Sequence, residues 1–181
     1  MYKGLYKLFK HWFHGGQVYF YSDPHFNDED MKYLRKDYIG DDEQVKRINS
    51  KIGKHDTLVI LGDVGDLSYV KKLRGYKVLI MGNHDTGVTK YEEYFDEVYE
   101  GILVISEKIV LSHEPLAIPH MLNLHGHVHG KVETDKMHMN LSAEFINYTP
   151  ISLKSIIESG RTKFDSIHRV GIDKRAKRKH S

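Results

Sequence analysis

The sequence predicts an α/β fold whose first half is a mainly parallel sheet. Three observations carry this reading. Strand-like and helix-like segments alternate through residues 17–81, the order expected of βαβ units. Residues 57–61 and 76–81 are short, largely apolar runs that stop at glycine, as strands buried on both faces do. With 181 residues, 40% of them hydrophobic, the chain is long and apolar enough to close one core.

Residues 17–22 (Gln-Val-Tyr-Phe-Tyr-Ser) are β-branched and aromatic, and Asp23-Pro24 ends them as a strand. Residues 42–52 begin with acidic side chains, place Val45, Ile48 and Ile52 on one face, and stop at Gly53, which predicts a helix. The strand at 57–61 follows, then a short helix at 67–73 ended by Gly75, then the strand at 76–81. Beyond residue 97 the pattern changes. Residues 101–105 and 108–112 read as an antiparallel pair, with further strands at 121–125 and 136–143. A last helix at 152–159 is capped by Ser152 and ended by Gly160.

The expected organisation is an amphipathic segment at 1–16, one domain at 17–160 and a basic tail at 161–181. In the first segment Tyr2, Leu5, Tyr6, Phe9, Trp12 and Phe13 follow a helical 3–4 spacing, which predicts a terminal helix packed on the domain or a partner. In the tail, eight Lys/Arg against two Asp give +6. The whole chain carries +2, so residues 1–160 carry −4. The tail reads as a solubilising end or as an arm for polyanions. No apolar run reaches the roughly 18–20 residues that cross a bilayer. The chain has no cysteine, which excludes disulfides, thiolate metal ligands and thiol nucleophiles. That composition fits the reducing cytoplasm, where the protein is expected.

The chemistry-bearing residues follow the strands. The first strand delivers Asp23-Pro-His25, the second Gly62-Asp63-Val-Gly-Asp66, and the third Gly82-Asn83-His84-Asp85. Later strands deliver Ser112-His113-Glu114 and His125-Gly126-His127-Val-His129. In open α/β sheets, ligands bind outside the carboxyl ends of strands, so five segments converge on one edge. Asp23 and His25, at i and i+2, would project to one side of an extended chain and clasp a cation; His127 and His129 repeat the spacing. Glycines 62, 82 and 126 permit close backbone approach. Without thiolates, the donors are oxygen and imidazole, which suit Mn, Fe, Zn, Ni or Mg.

Together these elements resemble the calcineurin-like metallophosphoesterase pattern over residues 17–160. The resemblance implies two mixed sheets packed as a sandwich flanked by helices, a four-layer fold. It implies one divalent ion held by Asp23, His25, Asp63 and His129, and a second by Asp63, Asn83, His113 and His127, with Asp63 bridging; Mn is a frequent metal in the family, and Fe, Zn or Ni are also met. Two cations roughly 3.5–4 Å apart acidify a shared water and neutralise phosphoryl charge. The expected reaction is therefore phosphate-ester hydrolysis by a hydroxide bridging the metals. His84 is the implied acid or transition-state stabiliser; Asp85 is read either as its orienting carboxylate or as a helix cap, and Asp66 as a supporting or capping residue.

Leu67-Ser68 stands where the protein Ser/Thr phosphatase branch carries Arg-Gly, which argues against phosphoprotein. The chain looks more like the small stand-alone bacterial, archaeal and phage members. The expected substrate is a phosphodiester of a nucleotide-like small molecule. A nuclease gripping RNA or DNA with the basic tail is the first alternative, and a non-catalytic protein-binding scaffold the second. A homo-oligomer stays open. Of the other histidines, His11, His14, His55, His138, His168 and His180 are expected at the surface, with His120 and His125 structural.

Overall fold

In the run Thr57-Leu-Val-Ile-Leu61 every side chain is buried, so alternate residues must find an apolar layer on each side. They do. Val59 and Leu61 face a second sheet, while Leu58 and Ile60 face a layer of helix. The computed structural model describes residues 7–130 and 135–162. Its elements are β1 (Val18–Tyr21), α1 (Met31–Leu34), α2 (Asp41–Lys51), β2 (Thr57–Ile60), β3 (Tyr76–Ile80), α3 (Val88–Glu92) and β4 (Glu97–Tyr99). There follow β5 (Leu103–Ser106), β6 (Ile109–Leu111), β7 (Leu122–His125), β8 (His138–Asn140), β9 (Ile151–Ser152) and α4 (Leu153–Glu158).

The first sheet has the order β4-β3-β2-β1-β9; its first four strands are parallel, and β9 runs antiparallel to β1. The second has the order β5-β6-β7-β8, with β5 antiparallel to β6 and the remaining pairs parallel. Both are mixed, and they pack face to face. Val18, Phe20, Val78 and Ile80 of the first meet Leu103, Leu111, Leu122 and Leu124 of the second. The outer face of the first sheet is covered by Val45 and Ile48 of α2, by Val70 and by Tyr91 of α3. On the second sheet, the loop before β7 is fastened down where the Leu116 amide donates to the buried Asn123 Oδ1.

The helix predicted at 42–52 forms as α2, and Ser152 caps α4 by accepting from the Ser155 amide. Two expectations change. Residues 67–73 hold only a 3-10 turn, Val70–Lys72. The N-terminal 3–4 spacing likewise gives 3-10 turns at Lys7–Phe9 and Trp12–His14, broken at Gly15 (φ 89°). Leu8 is nonetheless fully buried between the sheets, with Phe9 and Trp12 packed beside it. The first residues of that segment, and residues 163–181 of the basic tail with His168 and His180, lie outside the described residues.

Candidate metal centre

Parallel strands release their chains at a common edge, and the loops there interlock. Beyond β1 and β2 the ladder continues through Asp23 N–H to Gly62 O (3.1 Å), His25 N–H to Asp63 O (3.0 Å) and Phe26 N–H to Val64 O (2.9 Å). The second sheet joins where the His127 amide donates to the Asp23 carboxylate at 3.0 Å, alongside Ser142 Oγ at 2.9 Å.

Here the local geometry departs from the extended-chain argument. Asp23 (φ 53°), His25 (φ 45°), Asp63 (φ 53°) and His127 (φ 67°) all adopt left-handed backbone. Each costs roughly 1–2 kcal/mol, and Asp and His are among the side chains that tolerate it best. The i, i+2 pairs therefore work through tight turns. His127 and His129 do not share a cation position; they turn into different pockets.

Two groups of side chains have ligand atoms mutually within 4.8 Å: Asp23, His25 and His129, and Asp63, His113 and His127. In the first, His25 Nε2 lies 3.9 Å from Asp23 Oδ1, and His129 Nε2 lies 3.6 Å from the same oxygen. In the second, His113 Nε2 is 3.3 Å from Asp63 Oδ2, 2.9 Å from Asn83 Oδ1 and 3.2 Å from His127 Nδ1. Asp63 Oδ2 also lies 3.6 Å from His25 Nε2, so one oxygen faces both pockets, while Oδ1 accepts from the His84 amide (3.0 Å). All seven sequence-predicted ligand candidates thus meet around Asp63.

The donor set fits divalent cations. His113 Nδ1 sits 2.7 Å from the Leu61 carbonyl, an arrangement that fixes its proton there and leaves Nε2 facing only acceptors. Buried His25 Nε2 has no hydrogen-bond partner, although two carboxylates lie near it. Converging lone pairs of this kind call for a positive charge. Burial draws the His113 imidazole down, but Asp63 and Asp23 outweigh it and hold it up at about 9. Burial likewise opposes ionised Asp63, yet His113 and the His84 amide hold its carboxyl at about 2. For His25 burial prevails and lowers its pKa.

His84 is brought to the open face, its side chain 69% exposed, with Nε2 4.0 Å from Asp63 Oδ2 and its ring edge-on to His25. Asp85 does something else. Oδ2 accepts from the amides of Asp63 and Gly82 (both 2.8 Å), and Oδ1 from the Val64 amide (3.1 Å) and Tyr91 hydroxyl (3.0 Å). Neither expected role holds: Asp85 does not orient the His84 ring, and the N-cap of α3 is Gly87. Instead it clamps the strained turn that carries Asp63. Asp66 accepts from the Ser68 amide as a turn residue.

The remaining histidines divide. His14, His55 and His120 are exposed and His125 is buried, whereas His138 is half-buried in β8, held by Asp135 and the Leu116 carbonyl. Sequence reasoning missed Asp28, Arg35, Ser142 and Glu144, which hold the ligands from behind. Asp28 lies 3.3 Å from His25 Nδ1, and Glu144 lies 2.6 Å from His129 Nδ1. A cleft of about 320 Å³ opens beside Asn83 and His113, walled by Met81, Ile102 and Leu116 with Glu100 and Glu114.

The family model for calcineurin-like phosphoesterases matches residues 16–170. The chain is 30% identical over 168 residues to an uncharacterized protein of Methanocaldococcus jannaschii, covering 78% of this chain and 90% of that one. Among solved structures it is similar to a protein of unknown function from Aquifex aeolicus, with a TM-score of 0.68 and 28% identity. That match covers 79% of this chain and 98% of the other.

Proposed function

We propose, since the chain belongs to the calcineurin-like phosphoesterase family, that its paired pockets bind two divalent metal ions and hydrolyse a phosphodiester of a nucleotide-like small molecule. The observation that carries this reading is Asp63 Oδ2, which stands 3.6 Å from His25 Nε2 and 3.3 Å from His113 Nε2, between two groups of converging imidazole, carboxylate and amide ligand atoms. Asp23, His25 and His129 with Asp63 would hold one ion, and Asp63, Asn83, His113 and His127 the other. This mixed oxygen and imidazole set suits Mn, Fe, Zn or Ni, and we assign Mn from the family resemblance. When bound, such ions supply Lewis acidity at the phosphoryl oxygens and an acidified water nucleophile.

The protein's own part is to place the ester and to handle the leaving group. The cleft beside Asn83 and His113 is sized for a small organic group, and its Glu100 and Glu114 carboxylates disfavour a polyanionic strand. That supports the small diester over nucleic acid. His84 reaches over the open face and would give its proton to the departing alkoxide. No helix among the described residues is long and apolar enough to cross a membrane. The cysteine-free sequence fits a reducing cytoplasm, where we place the protein.

The direct test is hydrolysis of bis(p-nitrophenyl) phosphate by protein stripped of metal and then reloaded. Turnover should appear with Mn²⁺ and vanish with chelator; a folded, metal-loaded protein with no turnover on any phosphodiester sinks the proposal. His84→Ala should leave Mn²⁺ stoichiometry at two while slowing turnover roughly 10²-fold or more, most strongly for alkyl esters with poor leaving groups. Equal rates on alkyl and aryl esters relative to wild type would remove His84 from proton transfer.

A further inference from the structure

We propose that Glu144 and Arg35 are positioning residues that set the Asp23/His25/His129 pocket, closing a ring of contacts that begins and ends on Asp23. The inference rests on the metal-centre reading above. Arg35 follows α1, with its side chain 1% exposed. Its Nη2 donates to the Asp23 carbonyl at 2.7 Å, and its Nε lies 3.1 Å from Glu144 Oε2. Glu144 Oε1 in turn lies 2.6 Å from His129 Nδ1, and His129 Nε2 faces Asp23 Oδ1 at 3.6 Å. Carbonyl, guanidinium, carboxylate, imidazole and carboxylate thus form one circuit.

Each link answers a need of the pocket. Asp23 sits in left-handed backbone, so its carbonyl has left the strand ladder, and Arg35 supplies the donor that holds it there. His129 lies on an exposed turn, and a ring there must be fixed in tautomer and direction before Nε2 can serve as a ligand. Glu144 does both through Nδ1–H. The pair is a poor candidate for a purely stabilising bridge. Buried ion pairs recover their desolvation cost only with well-aligned hydrogen bonds. Yet Arg35 Nε and Nη1 and Glu144 Oε2 lack aligned partners despite the 3.1 Å approach. A charge pair with a buried guanidinium and a half-buried carboxylate, held in imperfect alignment, is explained by what its other ends grip.

The test is Mn²⁺ binding followed by calorimetry and electron paramagnetic resonance on the full chain, with circular dichroism to verify folding. Wild type should bind two ions and show the signal of an exchange-coupled pair. Glu144→Ala should weaken one of the two sites by roughly 10–100-fold, leave the other unchanged, and convert the coupled signal to that of a single ion. Glu144→Gln keeps an acceptor opposite His129 Nδ1 and should recover most of that loss, which a role in charge alone would not allow. Should Glu144→Ala fail to fold, Glu144→Asp, whose shortened carboxylate falls away from His129, carries the same comparison. Unchanged affinity at both sites in a folded variant overturns the inference. Wild type that binds two ions but hydrolyses nothing overturns the proposed activity alone, and wild type that binds none overturns both.

Discussion

Asp63→Asn should empty both metal pockets at once and lower turnover by roughly a thousandfold, about 4 kcal/mol of transition-state stabilisation. The substitution keeps the side chain's shape, and its carbonyl oxygen can still accept from the His84 amide, as Oδ1 does now. What it replaces is Oδ2, the atom facing His25 and His113 together. An amide –NH₂ there would present hydrogens to two imidazole nitrogens and remove the negative charge that both ions would share. Metal analysis after dialysis, paired with the bis-aryl phosphate assay, reads the outcome. Retention of two ions with near-normal turnover would show that Asp63 does not bridge.

Gly126→Ala is the second large effect, and it acts through space alone. A Cβ at Gly126 would lie 1.9 Å from Ser22 Oγ and 2.0 Å from Asp23 Oδ2. Neither neighbour can step aside. Both are fully buried; Ser22 Oγ donates to the Leu61 carbonyl, and Asp23 is held by Ser142 and the His127 amide. Overpacking of this kind costs about 1–3 kcal/mol, or more where backbone must shift. In a domain of this size that is a fall in Tm of roughly 3–10 °C. Because the displaced atom is a proposed ligand, Mn²⁺ affinity should fall with it. Gly101→Ala, where a Cβ meets nothing within 4 Å, should change Tm by no more than a degree or two. Equal melting curves for the two variants would contradict the packing argument.

The features legible in the sequence were those that repeat or terminate. Apolar runs ending in glycine marked β2 and β3, and the residues just beyond each strand end marked all seven proposed ligands, because a parallel sheet puts those positions at one edge. The helix expected at 67–73 shrinks to a 3-10 turn at Val70–Lys72; Val70 and Leu73 stand three apart, a spacing that both helix types present. The strands Glu97–Tyr99 and Ile151–Ser152 are too short and too mixed in polarity to show a period. Arg35 and Glu144 are single charged residues in irregular segments, a kind almost never buried unless paired, and pairing across more than a hundred residues leaves no local trace. Asp85 was seen, but three of its four partners are backbone amides, which carry no sequence signal at all.

The seam between the sheets has a consequence for the protein's lifetime. Asp23, His25, Asp63 and Asn83 follow strands of the first sheet, whereas His113, His127 and His129 follow strands of the second. Ions chelated by both sets would fasten the two halves of the sandwich together, and their binding free energy would count toward the folded state. At a thousandfold excess over the dissociation constant that linkage is worth about 4 kcal/mol per site. Metal supply would then govern how long the chain survives proteolysis as well as whether it turns over substrate, so abundance and activity would rise and fall together.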